Sequence, residues 1–90
     1  MSRPLLERAN REVLRAIETP PDSGIEDRLD RLAARLWYLA EEHPRPDQGH
    51  LARVQYRLDR LAERARSPRA RRIERARDCV DSYRRLLDPI

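Results

Sequence analysis

The chain of 90 residues contains no lysine and no phenylalanine, and it has only two glycines and one cysteine. Because Cys79 has no partner within the chain, no internal disulfide can form, and nothing requires an oxidising compartment. No apolar run reaches the length of about 18 residues that a membrane span needs, and no secretory leader is recognisable. These absences predict a cytoplasmic protein without a membrane segment.

The patterns of enzymes and metal sites are lacking as well. The sequence has no glycine-rich phosphate loop, no nucleophile elbow and no pair of metal-ligating residues on one helix. His43 and His50 flank a proline-rich turn, and a His–Cys site with Cys79 would lack the local ligand pairs usual in zinc sites. His50 is interpreted as an ordinary polar residue and Cys79 as a small, partly buried hydrophobe. The prediction is a protein that is not an enzyme and that uses no metal, cofactor or small-molecule substrate.

What the chain does contain is charge, at 40% of residues, and helical periodicity. Apolar residues recur at spacings of three and four, and prolines interrupt the pattern at short intervals. The sequence therefore predicts one all-α domain over residues 1–90, an antiparallel three- or four-helix bundle of amphipathic helices. The alternatives differ at Ser67-Pro68, which either separates two helices or only kinks one long helix. The predicted helices cover about residues 3–18, 24–42, 48–66 and 68–87.

Residues suited to helix starts support these boundaries. Ser2 is a predicted N-cap, with Pro4 in the first turn, where its missing N–H costs nothing. Ser23 and Glu26 have the spacing of a capping box, and Asp47 is a predicted cap for the third helix.

One eight-residue phrase occurs twice, 29 residues apart: RLDRLAAR at residues 28–35 and RLDRLAER at residues 57–64. We interpret the two copies as the middle of the second and third helices, which are predicted to form the central antiparallel pair with their leucines in one core. Asp27 lies four residues before Arg31 and compensates it, so the first copy is predicted to be scaffold.

Arginine is concentrated in the second part of the chain: residues 1–52 have eight Arg and ten acids, and residues 53–90 have twelve Arg and six acids. The third helix carries a row of arginines on its outer face with a tyrosine beside it. Such a row fits a phosphate backbone with the ring stacking on a base, an acidic protein surface, or a solvent face neutralised by acids of the first two helices. The candidate anion- or nucleic-acid-binding residues are Arg53, Tyr56, Arg57, Arg60, Arg64, Arg69, Arg71, Arg72 and Arg75.

The core of so short a chain is small, and a partner or a second copy often completes it. Leu14, Leu36 and Trp37 lie at the margins of the apolar stripes and are the candidate interface. The leading functional prediction is therefore a non-enzymatic helical interaction protein that forms a homo-oligomer or binds another protein. The alternative is a nucleic-acid-associated protein that contacts phosphates through the Arg row and the Arg cluster at residues 66–77.

Residues 46–53 read Pro-Asp-Gln-Gly-His-Leu-Ala-Arg. This Pro-Asp-x-Gly-x-Leu-Ala-Arg turn, entering the third helix after a leucine-rich second helix, resembles a family of small all-helical proteins of unknown function from haloarchaea. In helix order the similarity covers residues 5–87. The resemblance implies a helical fold and an intracellular archaeal setting, and it brings no catalytic residues. The pI of about 10.2 departs from the acidic composition usual in halophilic cytosolic proteins.

Overall fold

The structure, a computed structural model, describes residues 3–20 and 24–87. This part of the chain forms four helices and no strand, which confirms the predicted all-α bundle, and none of the four is long and apolar enough to cross a membrane. The three-helix alternative is wrong, because the chain turns to an extended conformation at Ala65 before the last helix begins. The helices are α1 (Pro4–Glu18), α2 (Glu26–Glu41), α3 (Gln48–Arg64) and α4 (Arg69–Leu87), each end within two residues of its prediction.

Two of the predicted helix starts are confirmed. Pro4 lies in the first turn of α1, and the Asp47 carboxylate accepts a hydrogen bond of 2.8 Å from the backbone N–H of His50. Ser2 and Ser23 lie outside the described residues. The predicted capping box of Ser23 with Glu26 therefore reaches beyond the described residues; within them, α2 begins at Glu26, whose carboxylate accepts a hydrogen bond from Arg69.

The order of packing differs from the prediction. Helix α1 packs along both α2 and α4, and α3 packs along α4, whereas α2 and α3 barely touch. The central pair is therefore α1 and α4, and the predicted pairing of α2 with α3 is wrong. A physical reason is visible in the core: Ala9, Ala16 and Ala76 are completely buried, and side chains this small let the two central helices approach closely.

Larger side chains from all four helices fill the single core around this pair. Leu36 is completely buried in it, so this residue belongs to the core and is not available as an interface. Cys79 is also buried, as predicted for a small hydrophobe.

Arg69 is completely buried, although it was a candidate for contact with an anion. Its Nε donates hydrogen bonds to the carbonyls of Ala16, at 2.7 Å, and Thr19, at 2.8 Å, and its Nη2 donates to Ile17, at 2.8 Å. Its Nη1 forms an ion pair with Glu26. Carbonyls at a helix C-terminus lack partners within the helix and attract cations. Arg69 therefore ties the end of α1 to the starts of α2 and α4, and it is not part of a binding surface.

Candidate functional site

A groove of about 630 Å³ runs between α2 and α3, where the two helices do not pack. Leu32 and Leu61, 4% and 5% exposed, form its apolar floor. Six of the nine lining residues are arginines and none is acidic, so the groove is a positively charged cleft. The lining residues are Arg28, Arg31, Leu32, Arg35, Tyr56, Arg57, Arg60, Leu61 and Arg64.

The two copies of the repeated phrase face each other across this groove. The first, fourth, fifth and eighth residues of each copy line it, and these positions share one side of a helix. Eight of the nine lining residues are therefore four pairs of equivalents. The repeat leucines belong to the one core, as predicted, and the first copy, predicted to be scaffold, lines the groove with as many residues as the second. The pairs are Arg28 with Arg57, Arg31 with Arg60, Leu32 with Leu61, and Arg35 with Arg64.

The acids of α3 point away from the groove. Asp59 lies 3.1 Å from Nη1 of Arg77 on α4, and Glu63 lines a separate shallow pocket beside Glu74. Within residues 3–20 and 24–87, no ion pair joins a groove arginine to an acid, and this includes the expected pair of Asp27 with Arg31. In this part of the chain, the ion pairs expected from the acids of α1 and α2 to the groove arginines are therefore not formed.

Tyr56 stands on the α3 wall of the groove, 59% exposed. Its hydroxyl accepts a hydrogen bond of 3.0 Å from Nη1 of Arg60, and Cζ of Arg60 lies 5.8 Å from the ring centroid. A cation over an exposed ring contributes about 0.5–1 kcal/mol. This contact holds the two side chains together, and more than half of Tyr56 still remains accessible to a ligand.

Comparison with known proteins identifies the family to which the chain belongs. Residues 1–86 match DUF7553, a family of unknown function. The chain belongs to the DUF7553 family. No curated protein and no solved structure matches it. Membership in a family of unknown function agrees with the resemblance, whereas the haloarchaeal setting stays a prediction.

In this DUF7553 chain, the remaining candidate anion-binding residues lie outside the groove. Arg53 is exposed but lies one turn before the groove, and Arg71 and Arg75 are exposed on α4 and are not in its lining. Arg72 is half-buried and its Nη1 lies 3.2 Å from Oε1 of Glu12. The groove therefore keeps three arginines of the predicted row and adds three that the sequence interpretation passed over. The repeat could have identified the added arginines, Arg28, Arg31 and Arg35, because residues at the same positions of the phrase lie on the same face of each helix.

The two histidines of this DUF7553 chain contact each other. The ring centroids of His43 and His50 are 5.6 Å apart, and Tyr38 contacts His43 at the same distance. Among the described residues, no group of three or more His, Cys, Asp or Glu side chains is placed to hold a metal ion. The groove is therefore the feature on which a functional proposal rests.

Proposed function

We propose that this protein is a non-enzymatic binding protein that holds single-stranded nucleic acid by its phosphates in the groove between α2 and α3. The observation that carries the proposal is the gathering of six arginines on two facing walls with no acid in the lining. Guanidinium groups bind phosphate through paired N–H donors. Like charges at these helical spacings repel by about 0.2–0.5 kcal/mol per pair, and an anionic ligand relieves that repulsion.

The dimensions of the groove fit a short stretch of one strand. Each arginine triplet extends over about 10 Å, since the helix rises 1.5 Å per residue. Along the axis of a stacked strand, one phosphate follows another about every 3.4 Å, so a strand that runs parallel to the groove places about three phosphates in it.

Tyr56 favours a single strand over a duplex. Aromatic side chains in basic grooves stack on unpaired bases, whereas a duplex keeps its bases paired inside the helix. The half-exposed Tyr56 ring supplies such a platform on the groove wall. We therefore take a duplex and an acidic protein as the competing ligands that the test must separate.

The test is fluorescence anisotropy of a labelled single-stranded oligonucleotide, titrated with the protein at several salt concentrations. Three phosphate contacts predict that the logarithm of the binding constant falls with the logarithm of salt at a slope of about −2, from about 0.7 per phosphate. The double variant Arg57→Glu/Arg60→Glu should abolish binding. The matched control is Arg71→Glu/Arg75→Glu, which makes the same charge change at exposed positions outside the groove and should keep most of the affinity.

Three outcomes contradict the proposal. If the anisotropy of the oligonucleotide does not rise at about 50 mM salt, nucleic acid is excluded as the ligand. Equal losses in the two double variants show attraction to net charge and not to the groove. Tighter binding of a duplex, or of an acidic polypeptide such as polyglutamate, assigns the groove to that ligand.

Self-association remains a second proposal and uses a different surface. Trp37 and Leu14 are 50% and 44% exposed. Asn10 of α1 donates a hydrogen bond of 2.6 Å to the carbonyl of Ala33 on α2. Leu14 and Trp37 lie one turn beyond Asn10 and Ala33 on their own helices, on opposite sides of this contact along the α1–α2 seam, because the two helices are antiparallel. A mass above one chain by light scattering, with Trp37 protected from quencher, would support it, and a monomer with quenchable Trp37 would exclude it. A cytoplasmic location and an archaeal host stay predictions.

A further inference from the structure

We infer that the two copies of the repeat act as equivalent halves of one site, so that a linear phosphate chain binds in the groove in either direction. The inference rests on the proposed function, because it assumes that phosphates occupy the groove. It adds that the α2 wall contributes as much as the α3 wall, and that the site does not select the polarity of the strand.

The first step is the relative direction of α2 and α3. Arg3, beside the start of α1, donates a hydrogen bond of 2.9 Å to Leu39 near the end of α2, so α1 and α2 are antiparallel. The contacts of Arg69 with the end of α1 make α1 and α4 antiparallel. Gln48, at the start of α3, donates a hydrogen bond of 2.9 Å to Arg84 near the end of α4. Three reversals of direction make α2 and α3 antiparallel too.

The second step is symmetry. Two antiparallel helices that carry the same phrase on facing sides are related by an approximate twofold axis that passes between them. This axis exchanges each groove arginine of α2 with its equivalent on α3. Arg28 therefore shares one end of the groove with Arg64, and Arg35 shares the other end with Arg57. A ligand that enters from either end meets the same succession of guanidinium groups.

The third step is that equivalent lining residues of the two halves are equally buried or equally exposed. Leu29 and its equivalent Leu58 are both completely buried, the floor residues Leu32 and Leu61 are almost equally buried, and all six arginines are exposed. The exception in the lining is Tyr56, whose equivalent position is Asp27, outside the lining. Symmetry of the phosphate-binding groups is therefore nearly complete.

The fourth step concerns the ligand. The polarity of a nucleic acid strand lies in its sugars, and a row of phosphates offers similar oxygens in both directions. Donors arranged symmetrically cannot distinguish those directions, and Tyr56 stacks on a base whichever way the strand runs. Inorganic polyphosphate, a linear chain of the same anionic groups without bases or polarity, should bind through the arginines alone.

The experiment compares equivalent arginines, one from each wall. Arg28→Gln is matched with Arg57→Gln, and Arg35→Gln with Arg64→Gln, leaving aside Arg60, which contacts Tyr56. Dissociation constants are measured for a short oligothymidylate and, by competition, for inorganic polyphosphate. Within each pair the loss should be the same, about two- to fivefold, the size expected for one exposed ion pair.

The results separate the inference from the proposed function. If the α3 variants weaken binding and the α2 variants do not, the inference is overturned while nucleic-acid binding stands. If the unsubstituted protein binds neither ligand, the proposed function itself fails. Equal losses within both pairs support the equivalence of the two walls.

Strand direction is tested separately with a nitroxide attached through Glu63→Cys in a Cys79→Ala background, after circular dichroism has confirmed the helical content. Residue 63 is exposed, next to Arg64 at one end of the groove and outside its lining. Bound hexathymidylate should show equal paramagnetic broadening of its 5′-terminal and 3′-terminal nucleotides. Broadening confined to one terminus shows a single direction and overturns the inference.

Discussion

Nη1 of Arg77 lies 3.1 Å from Oδ1 of Asp59, so the acid that both copies of the repeat share is held, in the second copy, against α4 and not against the groove. Helix α3 therefore presents acids on one flank, where α4 supplies a counter-charge, and arginines on the other. The flank that faces α2 has no such neutralisation among the described residues. This division of charge within one helix makes the groove basic, although the repeated phrase itself contains an acid.

The Arg77–Asp59 pair should matter little for stability. Its side chains are 37% and 43% exposed, and exposed pairs typically contribute less than about 1 kcal/mol. Arg77→Gln should therefore change the free energy of unfolding by less than about 1 kcal/mol in urea denaturation. The affinity of the Arg77→Gln variant for the oligonucleotide should equal that of the unsubstituted protein. A clear loss of affinity would show that Arg77 contacts the ligand.

Arg69, in contrast to Arg77, should contribute strongly to the stability of the fold. Arg69→Gln removes the hydrogen bonds that the Arg69 guanidinium donates to the carbonyls of Ala16, Ile17 and Thr19, and it removes the ion pair with Glu26. Removing one member of a buried pair costs about 3–5 kcal/mol. Urea denaturation should show a loss of that order, or far-UV circular dichroism should show an unfolded chain. A loss no larger than that of Arg77→Gln would contradict the role of Arg69 as the link between three helices.

Arg69 also shows which part of the fold the sequence predicts. Prolines and caps such as Pro4 and Asp47 act locally, and they predicted the helix ends within two residues. The burial of Arg69 depends on where the end of α1 lies in space. Arg69 and Arg71 stand in the same arginine-rich run, and only tertiary packing puts one inside and leaves the other exposed.

The groove was missed for a related reason. Periodicity predicts which face of a helix is buried, but not which helix covers it. The shared phrase suggested that α2 and α3 pack together, whereas in the structure α1 packs along α4 and leaves α2 and α3 apart. With that pairing known, the repeat alone places six arginines in one groove.

Asp47 predicts a pH dependence of stability. The hydrogen bond donated by the His50 backbone N–H holds the pKa of Asp47 below its ordinary value of 3.8. Since the fold lowers this pKa, the stabilisation is complete above 3.8 and is lost as the pH falls through the folded-state pKa. In thermal melts, the unsubstituted protein should therefore exceed Asp47→Ala at neutral pH, and the difference should shrink in acid.

Asp47→Asn is the matched control for this prediction. Asparagine caps a helix about as well as aspartate but carries no titrating proton. Its advantage over Asp47→Ala should therefore persist in acid. If, in acid, Asp47→Asn and the unsubstituted protein both lose their higher thermal stability relative to Asp47→Ala, a group other than Asp47 causes the pH dependence.

Cys79 should react slowly with thiol reagents. Burial raises the pKa of its thiol above the ordinary value, so thiolate, the reactive form, is scarce, and the sulfur is covered by the core. In a disulfide-exchange assay at mildly alkaline pH, the native protein should react far more slowly than the protein in denaturant. Equal rates in the two states would show that the helices around Cys79 open readily.

Tyr56 separates stacking from hydrogen bonding in the proposed complex. Tyr56→Phe keeps the ring and loses only the hydroxyl that accepts from Arg60, whereas Tyr56→Ala removes both. Stacking contributes about 1–3 kcal/mol per base, so Tyr56→Ala should weaken oligonucleotide binding roughly 5- to 150-fold, and Tyr56→Phe should bind almost normally. Neither change should greatly affect inorganic polyphosphate, which has no base. Because Tyr56 is exposed, both variants should fold. Equal losses of oligonucleotide affinity in the two variants would show that binding depends on the hydrogen bond between the Tyr56 hydroxyl and Arg60, and not on stacking by the ring.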